Sequence, residues 1–291
     1  MPDQGESMGF RFANVDNRAV LVTGDHYHDV ESLSDGAIPS DPIQAIGAAD
    51  RLHELAAKLD ANTPTGALAD VTLGAPIPRP CNSIAIGLNY KDHAAEADME
   101  LPENPMVFTK FPSCIVGPTA TVEMRGDMVD YEGELVVVIG KQGKDIAEAD
   151  AYDHIAGFTI GQDISDRPAQ FMAKPAHFAL GKSFDTYGPL GPWVVSCDEF
   201  ADPNDLGLTT VIDGEERQNA RTSSLIFDVP FLVSFLSHIM TLQVGDLIWT
   251  GTPEGIGFTS GNLLTDGQVI TTEIEGIGAL VNPCVRVGDW R

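Results

Sequence analysis

Strand-like runs, several of them alternating apolar and polar residues with period two, recur along this chain, and fewer segments keep the 3.6-residue spacing of a helix. Residues 10–15 and 19–22 alternate on either side of Asp16 and Asn17, which predicts a β-hairpin. From Pro42 onward Ile43, Ile46, Leu52, Leu55 and Leu59 recur at helical spacing, behind a capping pair at Ser40 and Asp41. Residues 62–80 carry Pro64, Pro76, Pro78 and Pro80 among Thr, Ala and Gly and read as a connection, so a domain boundary is placed near residue 75. Beyond it, strands are expected at 83–88, 107–111, 130–140, 155–163, 193–195, 209–212 and 244–249, with strand-like alternation again over 268–287. One further amphipathic helix is expected over 227–241. This balance predicts an α+β, β-rich fold, with a small N-terminal β/α domain over 1–75 and a larger domain over 76–291. It argues against stacked parallel βαβ layers.

The stretch Asp-Tyr-Glu-Gly-Glu-Leu-Val-Val-Val-Ile-Gly at 130–140 organises the rest. In a strand, Glu132 and Glu134 point to the same face, with their α-carbons roughly 6.6–6.8 Å apart. Leu135, Val137 and Ile139 occupy one face and Val136 and Val138 the other, and a strand apolar on both faces is usually buried. Two carboxylates in such a place lose their water and repel, so they must be protonated, paired or bound to a cation. Two oxygen donors from one strand suit a hard divalent ion such as Mg²⁺. An edge strand with two solvated glutamates is the competing reading. Asp163, ending the predicted strand 155–163, is the natural third carboxylate, and such a set leaves positions on an ion open for water and a chelating substrate.

Charge changes this picture. Forty-three acidic against seventeen basic residues give a net charge of −26, and such a surface repels nucleic acid and acidic membranes, so neither is an expected partner. Each cation is therefore informative. Lys110 falls in an apolar, strand-like stretch and Lys182 lies between small residues in a loop, and both are candidates for an anion site. His93 and Glu96 stand three apart and share a face if helical, where a carboxylate fixes the imidazole tautomer and raises its basicity, as a general base needs. A surface helical pair is the plainer alternative. The Gly/Thr-rich turn at 250–257 offers backbone N–H groups and hydroxyls to a carboxylate, and it lacks the Gly-Lys-Ser/Thr of a P-loop. Cys81, Cys114, Cys197 and Cys284 form no Cys-x-x-Cys pair and read as reduced thiols. No apolar run approaches the ~20 residues a membrane helix needs, and the first residues lack a basic-then-apolar signal, so a cytoplasmic location is expected.

Five motifs in this order resemble those of the fumarylacetoacetate hydrolase superfamily. They are Gly-Leu-Asn-Tyr-Lys-Asp-His-Ala-x-Glu (87–96), Asp-Tyr-Glu-x-Glu-Leu (130–135), Asp163 with Ser165 and Arg167, Gly-Lys-Ser-Phe-Asp-Thr-x-Gly-Pro (181–189) and Thr-Gly-Thr-Pro-x-Gly-x-Gly (250–257). The resemblance runs from about Ile84 to the last residue. It implies a folded-over mixed β-roll with few helices, usually a homodimer. By position it implies that Glu132, Glu134 and Asp163 hold Mg²⁺ or Mn²⁺. His93 and Glu96 would sit on a lid over the substrate, with His93 activating water. Lys182 would help position the substrate, and Lys110, Arg167, Gln170 and Thr252 would line the pocket. Arg221 stands where many members carry Asn, and Pro168 where many carry an acid.

The activity implied is Mg²⁺-dependent hydrolysis of the C–C bond of a 2,4-diketo acid, of acylpyruvate or fumarylpyruvate type, to pyruvate and a carboxylic acid. Water deprotonated by the His93/Glu96 pair would attack the 4-carbonyl, and the charge of the departing pyruvate enolate would be balanced at Lys182 and the metal. An oxaloacetate decarboxylase, or an isomerase or decarboxylase of 2-oxo-hexenedioates, uses the same apparatus. A non-catalytic 2-oxo acid binding protein is the reading from another class.

Overall fold

The computed structural model describes residues 9–92 and 101–291. Asp16 and Asn17 both take left-handed backbone conformations (φ 52° and 61°), which turn the strand Arg11–Val15 back onto Arg18–Thr23 as expected of a two-residue hairpin. The helical spacing after Pro42 resolves into two helices, Pro42–Ile46 and Ala49–Ala56, rather than one. Asp41 caps the first by accepting from the backbone of Ile43 and Gln44. Gly47 separates them, where a Cβ would stand 3.0 Å from Val244 Cγ1, so the break lets the backbone approach the neighbouring segment. The proline-rich connection contributes two short strands, Gly66–Ala67 on His26–Asp29 and Leu73–Gly74 on Arg11–Val15.

One long sheet dominates. Across it lie Gly66–Ala67, His26–Asp29, Arg18–Thr23, Arg11–Val15, Gly188–Val195, Ile155–Gln162, Gly133–Ile139, Leu247–Trp249, Ser83–Gly87 and Met106–Thr109. Most neighbours run antiparallel, but Leu247–Trp249 and Ser83–Gly87 run parallel, so the sheet is mixed. The amino-terminal strands extend it through Arg11 opposite Val195 and Phe12 opposite Val194. A second sheet orders Glu215–Arg221, Gly207–Ile212, Val269–Ile274, Gly278–Arg286 and Val122–Met124. The architecture is mixed α+β and rich in strand. Among the described residues, no helix is long and apolar enough to cross a membrane.

Gly133–Ile139 is buried along its whole length, and its period-two pattern feeds two cores. Leu135, Val137 and Ile139 pack with Phe158 and Ile160, with Leu232 and Leu236 of the helix Val229–Ile239, and with Leu208 and Leu280 of the second sheet. Val136 and Val138 face the other way, onto Leu21, Ile46, Leu190 and Trp249. Gly161, opposite Glu134 in register, makes room for this packing, since a Cβ there would come within 2.3 Å of the Trp249 ring. Both faces of the strand being closed to water, whatever stands at its beginning is held in a rigid, poorly solvated frame.

Candidate metal centre

The strand expected over 130–140 begins only at Gly133, so it includes Glu134 but not Glu132. Val129–Asp130 forms its own two-residue ladder with Ser165–Asp166, and Glu132 lies between that ladder and Gly133–Ile139. Glu134 is in the strand, and Asp163 follows the end of Ile155–Gln162. The backbone N–H of Asp163 donates to the Glu132 carbonyl at 2.8 Å, which ties the two bends together. The three carboxylates converge, each buried and offering an oxygen within 4.8 Å of the others.

Each is held differently. Glu132 accepts from Arg167 Nη2 at 2.8 Å and from Lys182 Nζ at 2.7 Å. Asp163 accepts from Lys110 Nζ at 2.7 Å and from Lys182 Nζ at 2.5 Å. Glu134 accepts the Gly251 N–H at 3.0 Å, and among the described residues it has no ion-pair partner. Gly251 gives that N–H from a left-handed backbone (φ 98°), with a Cβ position only 2.9 Å from Asn89 Cβ, so the Gly/Thr turn needs glycine there. The turn does hold carboxylates through its N–H groups, but they are the protein's own. Gly257 and Phe258 donate to Asp130 at 2.7 and 2.9 Å.

These surroundings shift the ionisable groups. Burial, then the charges of Asp163 and Glu132, push the Glu134 carboxyl well above the usual carboxylate range, and Lys182 and the Gly251 N–H only partly offset this. Burial alone would lower the Lys182 ammonium, but Asp163 and Glu132 outweigh it and hold the group above the ordinary lysine value. The Tyr90 hydroxyl is raised by burial and by the nearby Glu134 charge. A lone buried carboxylate beside two others is the environment a cation relieves, and oxygen donors alone suit a hard divalent ion. The residues fit a metal.

Beside Glu132 opens a cavity of about 530 Å³, bordered by Arg167, Gln170, Lys182 and Thr252 and walled by Ile86, Phe108, Phe171, Phe178 and Phe258. Of the four residues that the resemblance puts at the pocket, Arg167, Gln170 and Thr252 border this cavity. Lys110 is placed elsewhere. It is fully buried behind Asp163, where its ammonium donates to the Tyr187 carbonyl at 2.9 Å and to the Lys182 carbonyl, and it does not border the cavity. Arg221 lies on the surface, paired with Asp205 at 2.6 Å and Glu275 at 3.3 Å. Pro168 opens the helix Arg167–Gln170, where a proline costs no hydrogen bond. His93 and Glu96 lie outside the described residues. Two residues the sequence reading passed over are central to the framework. Asp130 accepts from Arg167 Nε at 3.0 Å and Nη2 at 2.5 Å as well as from the turn, and Gln218 joins the Gly133 N–H to Thr252. Asp130 stands in the quoted acidic motif, whereas nothing local marks Gln218.

The Fumarylacetoacetate (FAA) hydrolase C-terminal family matches residues 82–285. Among curated relatives, the oxaloacetate tautomerase YisK of Bacillus subtilis is 45% identical over 223 residues, covering 74% of this chain and 73% of that one. Among solved structures, a fumarylacetoacetate hydrolase from Exiguobacterium antarcticum superposes with a TM-score of 0.81 at 34% identity, over 96% of this chain and 100% of that one. A maleylpyruvate hydrolase from Sphingobium, in complex with manganese(II) and pyruvate, gives 0.80 at 30% identity, over 95% and 99%. The motifs, the buried acidic triad and a match of this extent agree, and the chain belongs to the fumarylacetoacetate hydrolase family.

Proposed function

We propose that this chain is a divalent-metal-dependent enzyme that forms and quenches the enolate of a small 2-oxo acid, with keto–enol tautomerisation as its reaction. The observation that carries this reading is Glu134, a buried carboxylate with no ion-pair partner among the described residues, beside Asp163 and beside Glu132, which borders an open cavity. A divalent ion held by Glu132, Glu134 and Asp163, Mg²⁺ or Mn²⁺, supplies Lewis-acid polarisation of the 2-oxo carbonyl when bound. Lys182 stays charged next to Glu132 and Asp163 and offsets the negative charge that develops on the enolate oxygen. Arg167 fixes the Glu132 carboxylate through its bonds to Asp130 and Gln170. The His93/Glu96 pair is the acid–base group: it takes the proton from C3 while the 2-oxygen gains one from water to give the enol, and in the reverse direction the enol O–H gives its proton to water and the pair returns one to C3. The similarity to proteins named as oxaloacetate tautomerases supports this order of preference.

Hydrolysis of a 2,4-diketo acid is the second reading, favoured by the His-x-x-Glu spacing at 93–96, which provides a base for water. There His93 takes a proton from water, the hydroxide adds to C4, the C3–C4 bond breaks with its electron pair left on C3, and C3 takes up a proton to give pyruvate beside the carboxylic acid. In either reaction His93→Ala should lower turnover by about 10²–10⁴-fold with metal still bound. The assay is side by side, with EDTA controls: decay of enol-oxaloacetate absorbance, and loss of acetylpyruvate with release of pyruvate. Faster enol decay without pyruvate supports tautomerisation, and pyruvate from acetylpyruvate supports hydrolysis. Pyruvate formed from oxaloacetate alone would transfer the assignment to decarboxylation.

A further inference from the structure

The two ends of the cavity differ in chemistry. At the inner end the cations are already engaged, Arg167 with Asp130, Glu132 and Gln170, and Lys182 with Glu132 and Asp163. Outward from them runs a continuous chain of rings. Phe108 meets Phe178 edge to face at 5.7 Å between centroids, Phe178 meets Phe171 at 5.9 Å, and Phe171 stacks on Phe258 at 5.7 Å. This chain starts and ends on the two cations, with Lys182 Nζ 5.2 Å from the Phe108 ring and Arg167 Cζ 5.4 Å from the Phe258 ring. Phe171 and Phe258 each leave 46% of their surface exposed. Rings this open, at the mouth of a cavity, gain from any apolar group laid over them. Among the described residues that line the cavity, Arg167 and Lys182 are the only cations.

Charge points the same way. Among the described residues, Asp130, Glu132, Glu134 and Asp163 face Lys110, Arg167 and Lys182, four carboxylates against three cations. With these seven groups ionised, and the His93/Glu96 pair outside the count, a divalent ion would leave one net positive charge among them, which a single substrate carboxylate cancels. A second carboxylate would have to leave water for a ring-lined wall whose only cations among the described residues, Arg167 and Lys182, are already paired with the protein's own carboxylates.

We propose that this aromatic wall makes the site select 2-oxo acids with one carboxylate and an apolar tail, alkyl or aryl, over 2-oxo dicarboxylates, with Phe171 and Phe258 as specificity-determining residues. The inference rests on the 2-oxo acid reading above. Under it, a dicarboxylate such as oxaloacetate is accepted but not preferred.

Oxamate, oxanilate and oxalylglycine test this without turnover. They share an inert 2-oxo acid head and carry no tail, a phenyl ring and a carboxymethyl group respectively. Calorimetric titration of the Mg²⁺-loaded full chain should find oxanilate bound at least about tenfold more tightly than oxamate, as burial of a ring predicts, and oxalylglycine more weakly than oxanilate by a similar factor. Phe171→Ala and Phe258→Ala, both at half-exposed positions, should each narrow the oxanilate-to-oxamate ratio by about threefold or more, with circular dichroism as the check on folding. Oxalylglycine binding as tightly as oxanilate, or a ratio that neither variant changes, would overturn the selection and leave the 2-oxo acid reading in place. Failure of all three to bind the loaded chain would remove that reading, and this inference with it.

Discussion

Binding of a divalent ion should release a proton, and Glu134 is the group that gives it up. Its carboxyl is buried, its oxygen lies within 4.8 Å of ligand oxygens of Glu132 and Asp163, and among the described residues it has no ion-pair partner. Burial and those two charges hold it well above the usual carboxylate range, so the metal-free chain keeps it protonated where a solvated glutamic acid would ionise. A folded value above the unfolded one fixes the sign. The metal-free fold has its full stability from this group below the unfolded value, near 4.3, and loses it as pH rises through the raised value. An ion takes the place of the proton and removes the penalty. Between the two values each pH unit should therefore tighten the apparent Kd about tenfold, or about 1.4 kcal/mol, because metal and proton compete for one site. Titration calorimetry from about pH 5 to about pH 8, in two buffers of different ionisation enthalpy, reads both quantities. We expect Kd to fall with rising pH and about one proton to leave per ion at the acid end of the window. Glu134→Gln should bind the ion weakly and release no proton. A wild-type Kd that is flat across the window, with no proton released, refutes this account of Glu134.

Lys182→Met removes the ammonium that bridges Glu132 and Asp163, so affinity for Mn²⁺ should hold or rise while turnover falls by about 10²–10³-fold. Metal affinity and turnover lost together would contradict the separation of these roles. Lys110→Met removes one buried donor from Asp163, which keeps Lys182, and from the carbonyls of Lys182 and Tyr187, and urea unfolding of the metal-free protein should show a loss of about 3–5 kcal/mol. A loss below about 1 kcal/mol would mean that water or a rearranged side chain replaces the ammonium.

Local periodicity made much of the fold legible. Asp16 and Asn17 announce their hairpin, and the two-faced apolar run from Leu135 to Ile139 identifies the buried strand, because turn conformation and face alternation are properties of adjacent residues. The convergence of Asp163 on Glu132 and Glu134 was readable for the same reason, since each ends or begins a strand whose direction the pattern supplies. What the pattern does not contain is contact over long range. Glu132 is bent out of the strand where Gly133 sits against Thr210, a Cβ there falling 2.4 Å from Thr210 Oγ1, and nothing near residue 133 announces residue 210. The division of 42–56 into two helices likewise depends on Val244. Lys110 reads as a pocket cation because its acceptors, the carbonyls of residues 182 and 187, are brought to it only by folding. The aromatic wall escapes a local reading too, since Phe108, Phe171, Phe178 and Phe258 come from separate segments.

The central claim is that this acidic centre, loaded with a divalent ion, turns over the enolate of a 2-oxo acid. Its most direct test is the decay of enol-oxaloacetate absorbance, and of acetylpyruvate, over EDTA-stripped protein before and after Mn²⁺ is restored. The account predicts that Mn²⁺ restores saturable turnover of at least one of them, and that Asp163→Asn, folded but unable to hold the ion, stays at the buffer rate. Folded, metal-loaded protein that leaves both substrates at the buffer rate would contradict it, and would point to a protein that binds 2-oxo acids without transforming them.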